Sequence, residues 1–493
     1  MTPSNRQLVV ASNRGPVSFE RDEGDGDYVA RRGQGGLVTA LTGALSMTGG
    51  LWIACAMTEG DRAQVASSEG GRIEVLTEDA KYDLRYLAPP EDVFDRFYNV
   101  ISNRILWFLH HFLWDTVHSP RFGEGTRQAW RDYVRVNEDF ADALAEAADG
   151  PGREPVYLVQ DYHLSLVPRL LRERRPDALI GHFSHTPFAG PGYLHVLLPE
   201  MREGLLRGLL GADVLGFQSE RWAELFLLSC RTLSSASVDL RRRLVRLDGH
   251  ETLVRVYPIS IDRQGLRDTA RERGARAARR KLRRSLGEDV KLVLRVDRTE
   301  LSKNILRGFL GFEAFLKRHE EWRGRVRLLA LLNPSRREIP EYRAYTRECL
   351  AAADRINKEL GGDGWDPIEV RIQDDYLEVA GAYAEYDVLM VNPVFDGMNL
   401  VAMEGPVVNR RDGVVVLSRN AGAFELLEEH VVPVAPFDIE DMAEALHRAL
   451  TMDAEERRRR AAGMRRVVSR HPLSKWVDRQ LADLERAADA RDR

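Results

Sequence analysis

The sequence predicts an α/β protein of two Rossmann-like domains, each a parallel sheet covered by helices on both faces. Short apolar runs rich in β-branched residues alternate with longer helical patterns along all 493 residues, the arrangement that builds parallel sheets. A chain of that length is long for one core, so two domains are the natural division. Six polar residues, Arg14, Asp161, His185, Arg298, Arg336 and Asp396, fall at or just beyond the C-terminal end of a predicted strand. Open α/β sheets bind their ligands outside those ends.

The first set of predicted strands is 7–11, 51–54, 156–159, 179–183, 214–217 and 254–257. The second is 291–295, 326–330, 368–372, 388–391, 414–417 and 431–434. The expected boundary follows Asp262, giving a first domain over 1–262, a second domain over 263–475, and a C-terminal helix and tail over 476–493. An Arg-rich helix from about 267 to 286 leads into the second set, and 97–107 reads as an amphipathic helix with large aromatics. No internal repeat or low-complexity tract interrupts the pattern. Two domains with facing carboxyl edges would gather the six polar residues around a central cleft.

Composition excludes several classes of function. An apolar fraction of 44% supports sizeable cores. A net charge of −4 gives no field to draw nucleic acid or anionic membranes. The basic runs at 241–243, 279–284 and 457–460 read as solvated helix faces. Cys55, Cys230 and Cys349 lie far apart, which argues against a disulfide framework and a zinc site. The N-terminus enters a strand without a signal-peptide core, and no apolar run approaches the ~20 residues of a membrane span. A soluble, cytoplasmic protein is expected, and a homo-oligomer is compatible with the sequence.

The chemistry concentrates in two segments. Residues 293–303 form an apolar run ending on two cations, Arg298 and Lys303, five residues apart. A planar guanidinium fork and a compact ammonium at one strand end suit a diphosphate. Residues 394–404 read as a second strand end followed by a helix start. There Asp396 and Glu404 suit the hydroxyls of a sugar and a ribose, with the helix N-terminus between them toward the phosphates. Together the segments describe a nucleotide-sugar site.

Other motifs carry two readings each. Gly33-Gln34-Gly35-Gly36 lets backbone approach a phosphate or sugar closely, or is a flexible turn. Asp161 closes a strand buried on both faces, where a charge must be solvated, paired or functional, and His185 stands in a matching place. His163, His110 and His111 read as structural. Tyr98 and Trp107, on pattern alone, are core. Arg336, in 334–337, suits a phosphate monoester and equally a basic turn. No Asp-X-Asp motif follows a strand, and Asp374 and Asp375 are contiguous. The phosphates are therefore expected to be neutralised by Arg298, Lys303 and a helix dipole, with no metal and no cofactor.

Taken in order, these motifs resemble the trehalose-6-phosphate synthases, retaining glycosyltransferases of the GT-B fold (family 20). The resemblance runs from the first strand to about residue 450. It rests on Ser12-Asn13-Arg14 with Gly35-Gly36-Leu37, Tyr98 and Trp107 nine apart, 161–164, 185–188, Arg298 with Lys303, 334–336, and 396–402 with Glu404. It implies that Arg14, Tyr98, Trp107 and Arg336 hold the acceptor glucose 6-phosphate, and that Asp161 binds an acceptor hydroxyl near the reacting centre. His185, Asp396 and the amides of Gly397, Met398, Asn399 and Leu400 would hold the donor glucose. Arg298 and Lys303 would bind the diphosphate and Glu404 the ribose, with Gly35 and Gly36 closing over the phosphates. Asp161, His185, Arg298 and Lys303 would form the catalytic set of a hexosyltransferase.

Some positions depart from that family pattern. Phe395 replaces an Arg, Met403 a Lys, and Glu300 and Asn304 stand where Asp and Gly are common. The stretch 371–376, near the nucleobase in the family, is more acidic than usual. UDP-glucose and GDP-glucose are both expected donors for this reason. The same departures point to a relative that couples a nucleotide-cyclitol to an amino-cyclitol phosphate. A non-catalytic sugar-phosphate sensor on the same scaffold is the alternative of another class. It would be expected to have lost part of the Arg298/Lys303 or Asp396/Glu404 pair, and the chain has lost neither.

Overall fold

The structure, a computed structural model, describes residues 6–21, 28–33, 36–76, 81–147, 154–287, 289–362 and 364–491. The chain divides into two compact units, Met1–Ile259 with Leu473–Arg493, and Ser260–Pro472.

The first unit holds β1 (Gln7–Arg14), β2 (Val17–Arg21), β3 (Tyr28–Arg32), β4 (Leu51–Cys55), β5 (Arg72–Leu76), β6 (Lys81–Leu87), β7 (Pro155–Gln160), β8 (Leu179–Ser184), β9 (Val214–Phe217), β10 (Ser237–Asp239), β11 (Leu244–Leu247) and β12 (His250–Val256). Ten of these form one sheet in the order β10-β11-β12-β9-β8-β7-β1-β4-β6-β5, and β2 and β3 pair separately as an antiparallel hairpin. The centre of the sheet, from β12 to β6, is parallel, while both edges finish in antiparallel pairs. Central strands are buried on both faces, as in β8, where every residue is buried. The six strands expected here are all present. The strands not anticipated are β2, β3, β5, β6, β10 and β11. β5 and β10 are the edges of the sheet, β6 and β11 stand next to them, and β2 and β3 form the separate hairpin; Lys81–Leu87 alternates in burial instead of running apolar.

The second unit holds β13 (Lys291–Arg298), β14 (Val326–Asn333), β15 (Ile368–Ile372), β16 (Val388–Val391), β17 (Val414–Ser418) and β18 (Val432–Val434). They form an all-parallel sheet in the order β15-β14-β13-β16-β17-β18. Its core joins strand residues such as Val293 and Leu328 to Phe309, Phe312 and Phe315 of helix Ile305–Arg318, and to Met442 and Leu446 of helix Ile439–Thr451. The Arg-rich segment is two helices, Arg263–Thr269 and Arg273–Leu286, because the Asp262 carboxylate caps the first and the chain turns before the second. Arg279 and Arg283 pair with Glu385 at 3.6 and 3.3 Å. That part of the basic run is therefore held against the unit.

The tail expected as a separate element over 476–493 is corrected by the structure. Helix Ser474–Arg491 belongs to the first unit. Its Trp476 indole donates to the Tyr257 carbonyl at 3.1 Å, the Tyr257 hydroxyl donates to Asp483 at 2.6 Å, and Leu484 is fully buried. An amphipathic helix with this apolar face finds its partner on the sheet it left at Val256. Among the described residues, no helix is long and apolar enough to cross a membrane.

Candidate active site

In the first unit the polar residues sit at the C-terminal ends of β1, β7 and β8. Register slips between Ala11 and Arg14, a bulge that turns the strand end. The Ser12 hydroxyl fixes it, accepting from the Trp52 indole at 2.8 Å and donating to the Arg14 carbonyl at 2.7 Å, and Arg14 is left exposed. Gly36 opens helix Gly36–Thr48, and Gly35 lies outside the described residues.

The segment expected as an ordinary amphipathic helix is π-helical from Arg96 to Leu106. The Trp107 amide donates to the Ser102 carbonyl, five residues back. This changes what a spacing of nine means. At 3.6 residues per turn, nine positions end on opposite faces of a helix. An i→i+5 helix has about 4–5 residues per turn, so nine positions come to about two turns. Tyr98 accordingly stacks on His163 at 5.8 Å, and Trp107 meets Tyr162 at 5.8 Å. Both rings address the one turn after β7. On the other side of Trp107, His111 stacks at 3.9 Å.

Asp161 follows β7 with φ 71° and ψ 172°, a backbone conformation that costs a non-glycine residue on the order of 1–3 kcal/mol. The surroundings hold it there. Its amide donates to the Phe183 carbonyl at 2.7 Å, and its carboxylate accepts from the His185 amide at 3.1 Å. The His185 ring lies 3.0 Å from Gln160 Oε1 and 3.3 Å from Gln218 Nε2. Gln218 Oε1 accepts from the Ile259 amide, which orients its amide so that the NH2 faces His185 Nδ1. Nδ1 is thus an acceptor and Nε2 carries the hydrogen. Burial, with His182 adding to it, lowers the His185 pKa to about 3. His185 is therefore a neutral ring with both nitrogens engaged, packed 5.8 Å from Trp476 of the C-terminal helix.

In the second unit the residues cluster at the ends of β13, β14 and β16. Glu300, which the motif reading noted only as a departure, connects them: Arg298 Nε lies 3.2 Å from its carboxylate, Arg336 Nη1 at 4.0 Å, and the Ser335 hydroxyl donates to it at 2.8 Å. Burial alone would raise Glu300, but Arg298, Arg336 and Lys303 pull it down to about 2. Arg336 also donates to the Tyr342 hydroxyl at 2.6 Å. Lys303 Nζ lies 2.6 Å from the Asp396 carboxylate, which accepts from Asn399 Nδ2 at 3.1 Å. Burial works against the ammonium, yet Asp396 and Glu300 raise its pKa. Asn304 has φ 58°, a left-handed conformation that Asn tolerates better than most residues, which explains how it stands where glycine is common.

The helix start expected between Asp396 and Glu404 falls at Val401, after a loop. That loop is pinned by Gly422 and Ala423, whose amides donate to the carbonyls of Asp396 and Met398 at 3.1 and 2.8 Å. A Cβ at Gly422 would lie 1.9 Å from the Gly397 oxygen, so no other residue fits there. Glu404 accepts from the Tyr383 hydroxyl at 3.0 Å, and burial raises its pKa. Met403 is fully buried in the core.

A cavity of about 220 Å³ opens on this cluster, lined among others by Arg298, Lys303, Asn399, Glu404, Asp374 and Tyr376. The two contiguous acids separate here. Asp375 caps helix Tyr376–Tyr383, accepting from the Glu378 amide at 2.9 Å, whereas Asp374 accepts from Asn333 Nδ2 at 2.9 Å. Among the described residues, the side chains His319, Glu321 and His447 could together hold a metal ion. They lie at the opposite end of helix Ile305–Arg318 from Lys303.

Arg298, Lys303, Asn399, Leu400 and Glu404 thus line one cavity of the second unit. The family model for glycosyltransferase family 20 matches residues 6–486. The chain belongs to that family. It is similar to a trehalose-6-phosphate synthase of Mycolicibacterium paratuberculosis, 35% identical over 96% of this chain and 94% of that one. It is also similar to the validamine 7-phosphate valienyltransferase of Streptomyces hygroscopicus subsp. jinggangensis, 32% identical over 98% of this chain and 95% of the relative. The solved Escherichia coli trehalose-6-phosphate protein bound with UDP-2-fluoro glucose matches with a TM-score of 0.84, at 29% identity, over 97% of this chain and 98% of that one. The family-20 chain is thus a glycosyltransferase of the GT-B fold.

Proposed function

We propose that the protein transfers glucose from a nucleoside-diphosphate glucose to the C1 hydroxyl of glucose 6-phosphate, with retention, giving α,α-trehalose 6-phosphate. The observation that carries this reading is the Arg298/Lys303 strand end facing Asn399, Leu400 and Glu404 on one cavity, with Asp396 paired to Lys303. Arg298 and Lys303 take the diphosphate, Asp396 and the amides of 397–400 the donor glucose, and Glu404 the ribose. Arg14, Tyr98, Trp107 and Arg336 take the acceptor. The bound Lys303–Asp396 ion pair opens as the donor enters, exchanging each charge for a substrate partner. In this reading the departing diphosphate accepts the acceptor proton on the same face, and catalysis is positioning plus stabilisation of the leaving charge. His185, neutral with both nitrogens engaged, contributes shape and position instead of proton transfer. Asp161, held in a strained conformation by the His185 amide, faces an acceptor hydroxyl.

The deciding experiment incubates the protein with glucose 6-phosphate and UDP-, GDP- or ADP-glucose, and measures nucleotide release and disaccharide formation. Release without a disaccharide, or no release with any donor, removes the reading. The valienyltransferase similarity supports a second reading, coupling a nucleotide-cyclitol to an amino-cyclitol phosphate. An amino-cyclitol phosphate acceptor used in preference to glucose 6-phosphate would establish it.

A further inference from the structure

We propose that Arg295 is a positioning residue that sets the Lys303 loop for the diphosphate. It stands on β13, three residues before Arg298, and is fully buried. Its guanidinium fork has three partners. Nη1 donates to Asn392 Oδ1 at 2.6 Å, Nη2 donates to the carbonyl of Lys303 itself, and Nε lies 2.7 Å from the Asp297 carboxylate. The Nε hydrogen is not aimed at Asp297, so that contact is an ion pair rather than a hydrogen bond.

The partners close a ring around the loop. Asn392 Nδ2 donates to the Asn304 carbonyl at 3.2 Å, and Asn304 Nδ2 returns to the carbonyls of Asn392 at 3.0 Å and Pro436 at 2.6 Å. The next helix makes room for the guanidinium. A Cβ at Gly308 would lie 2.3 Å from Arg295 Nη1, so a larger residue there would displace the guanidinium from its partners. The chain therefore gives up a side chain in one element to seat a buried cation from another.

Stability alone does not account for this arrangement. Burying a charged pair is costly, and replacing one with apolar residues of similar volume is often neutral or stabilising. What the guanidinium supplies is a fixed planar fork, one arm of which sets the peptide carrying Lys303. A misplacement of about 1 Å in such a group can cost about 10²-fold in rate. The inference rests on the reading that Lys303 meets the diphosphate.

The test compares the unsubstituted protein with Arg295→Lys, Arg295→Met/Asp297→Asn and Lys303→Ala; the double substitution avoids leaving a buried carboxylate unpaired. UDP and GDP binding is measured by calorimetry, alongside steady-state constants and thermal unfolding. Expected for the double variant are nucleoside-diphosphate affinity and donor kcat/KM reduced by about 10²-fold, an unchanged glucose 6-phosphate KM, and an unfolding midpoint equal to or above that of the unsubstituted protein. Arg295→Lys should recover part of the loss. Nucleoside-diphosphate binding by the double variant equal to that of the unsubstituted protein overturns the role of Arg295. So does parallel loss of donor and acceptor constants, or failure of both Arg295 variants to unfold cooperatively, since the residue then holds the fold and not the loop. If Lys303→Ala binds UDP and GDP as tightly as the unsubstituted protein, the diphosphate reading fails and this inference with it.

Discussion

The strand ends of the two units are built from different materials. In the first, rings dominate: Tyr98 on His163, Trp107 between Tyr162 and His111, and a buried neutral His185. In the second, charges dominate: Arg298 and Arg336 share Glu300, and Lys303 pairs with Asp396. Rings fix a shape at little electrostatic cost, so the first unit can be rigid before any ligand arrives. The ionic cluster instead holds its charges against one another, with Ser335, Tyr342 and Asn399 adding hydrogen bonds. Substitutions in the two units should therefore fail differently.

The largest effect is expected at the ionic end. Arg298→Ala or Lys303→Ala should lower turnover on the order of 10²–10³-fold, the loss typical when a charge-stabilising donor is removed from a transition state. A variant that keeps more than about a tenth of the original kcat at saturating substrates would falsify the assignment.

Arg336 tests whether the ionic cluster also reaches the acceptor. A charge-assisted bond of about 1.5–3 kcal/mol implies that Arg336→Ala weakens use of glucose 6-phosphate roughly 10- to 100-fold while scarcely altering the use of free glucose. The ratio of the two kcat/KM values measures it. Equal use of both acceptors by the unsubstituted enzyme would sink the phosphate contact.

A smaller effect concerns the nucleobase. Guanine presents N1–H and an N2 amino group side by side, which a carboxylate accepts; uracil flanks its N3–H with carbonyls. Asp374 lines the cavity and is not the helix cap. Asp374→Asn is expected to lower kcat/KM with GDP-glucose about tenfold, as for one charged hydrogen bond, and to change UDP-glucose less. Should the unsubstituted enzyme strongly prefer UDP-glucose, the guanine contact is discarded.

The smallest expected effect sharpens the neutral end. His110, His182 and His185 are each lowered to about 3, burial being the main cause. In the unfolded chain they return to about 6.5 and bind more protons. Stability contributed by these residues is full above about pH 6.5 and is lost as pH falls toward 3. Thermal unfolding between about pH 7.5 and about pH 5 should show the midpoint falling, and His110→Gln, which keeps an acceptor for the Ala189 amide, should flatten the slope. An unchanged slope would mean that His110 is not buried neutral.

Much of this was legible in the sequence. Central strands buried on both faces announce themselves as apolar runs; β9, β15 and β16 begin and end where the pattern placed them. Arg14, Asp161, His185, Arg298, Arg336 and Asp396 could be put at or just beyond strand ends because charges seldom continue such a run, although β13 runs on through buried Arg295 and Asp297. What was hidden depended on geometry without a periodic signature. The π-helical winding of 96–106 reversed the meaning of the Tyr98–Trp107 spacing. Glu300 looked like a variant of a motif and became the carboxylate joining two arginines. Gln218 and Trp476, which orient and back His185, come from segments with no motif at all.

The return of helix Ser474–Arg491 to the first unit has a consequence for biosynthesis. All of Ser260–Pro472 is translated as one uninterrupted stretch, whereas the first unit is split and its closing segment follows more than 200 residues later. Domains generally fold as units during synthesis, the N-terminal one first. Here the first unit must wait: Tyr257 meets Trp476 and Asp483, its indole and carboxylate partners, only after the whole of Ser260–Pro472 has been synthesised. A chain ending before Leu473 would hold all of the second unit and a first-unit sheet without the cover of Trp476 and Leu484.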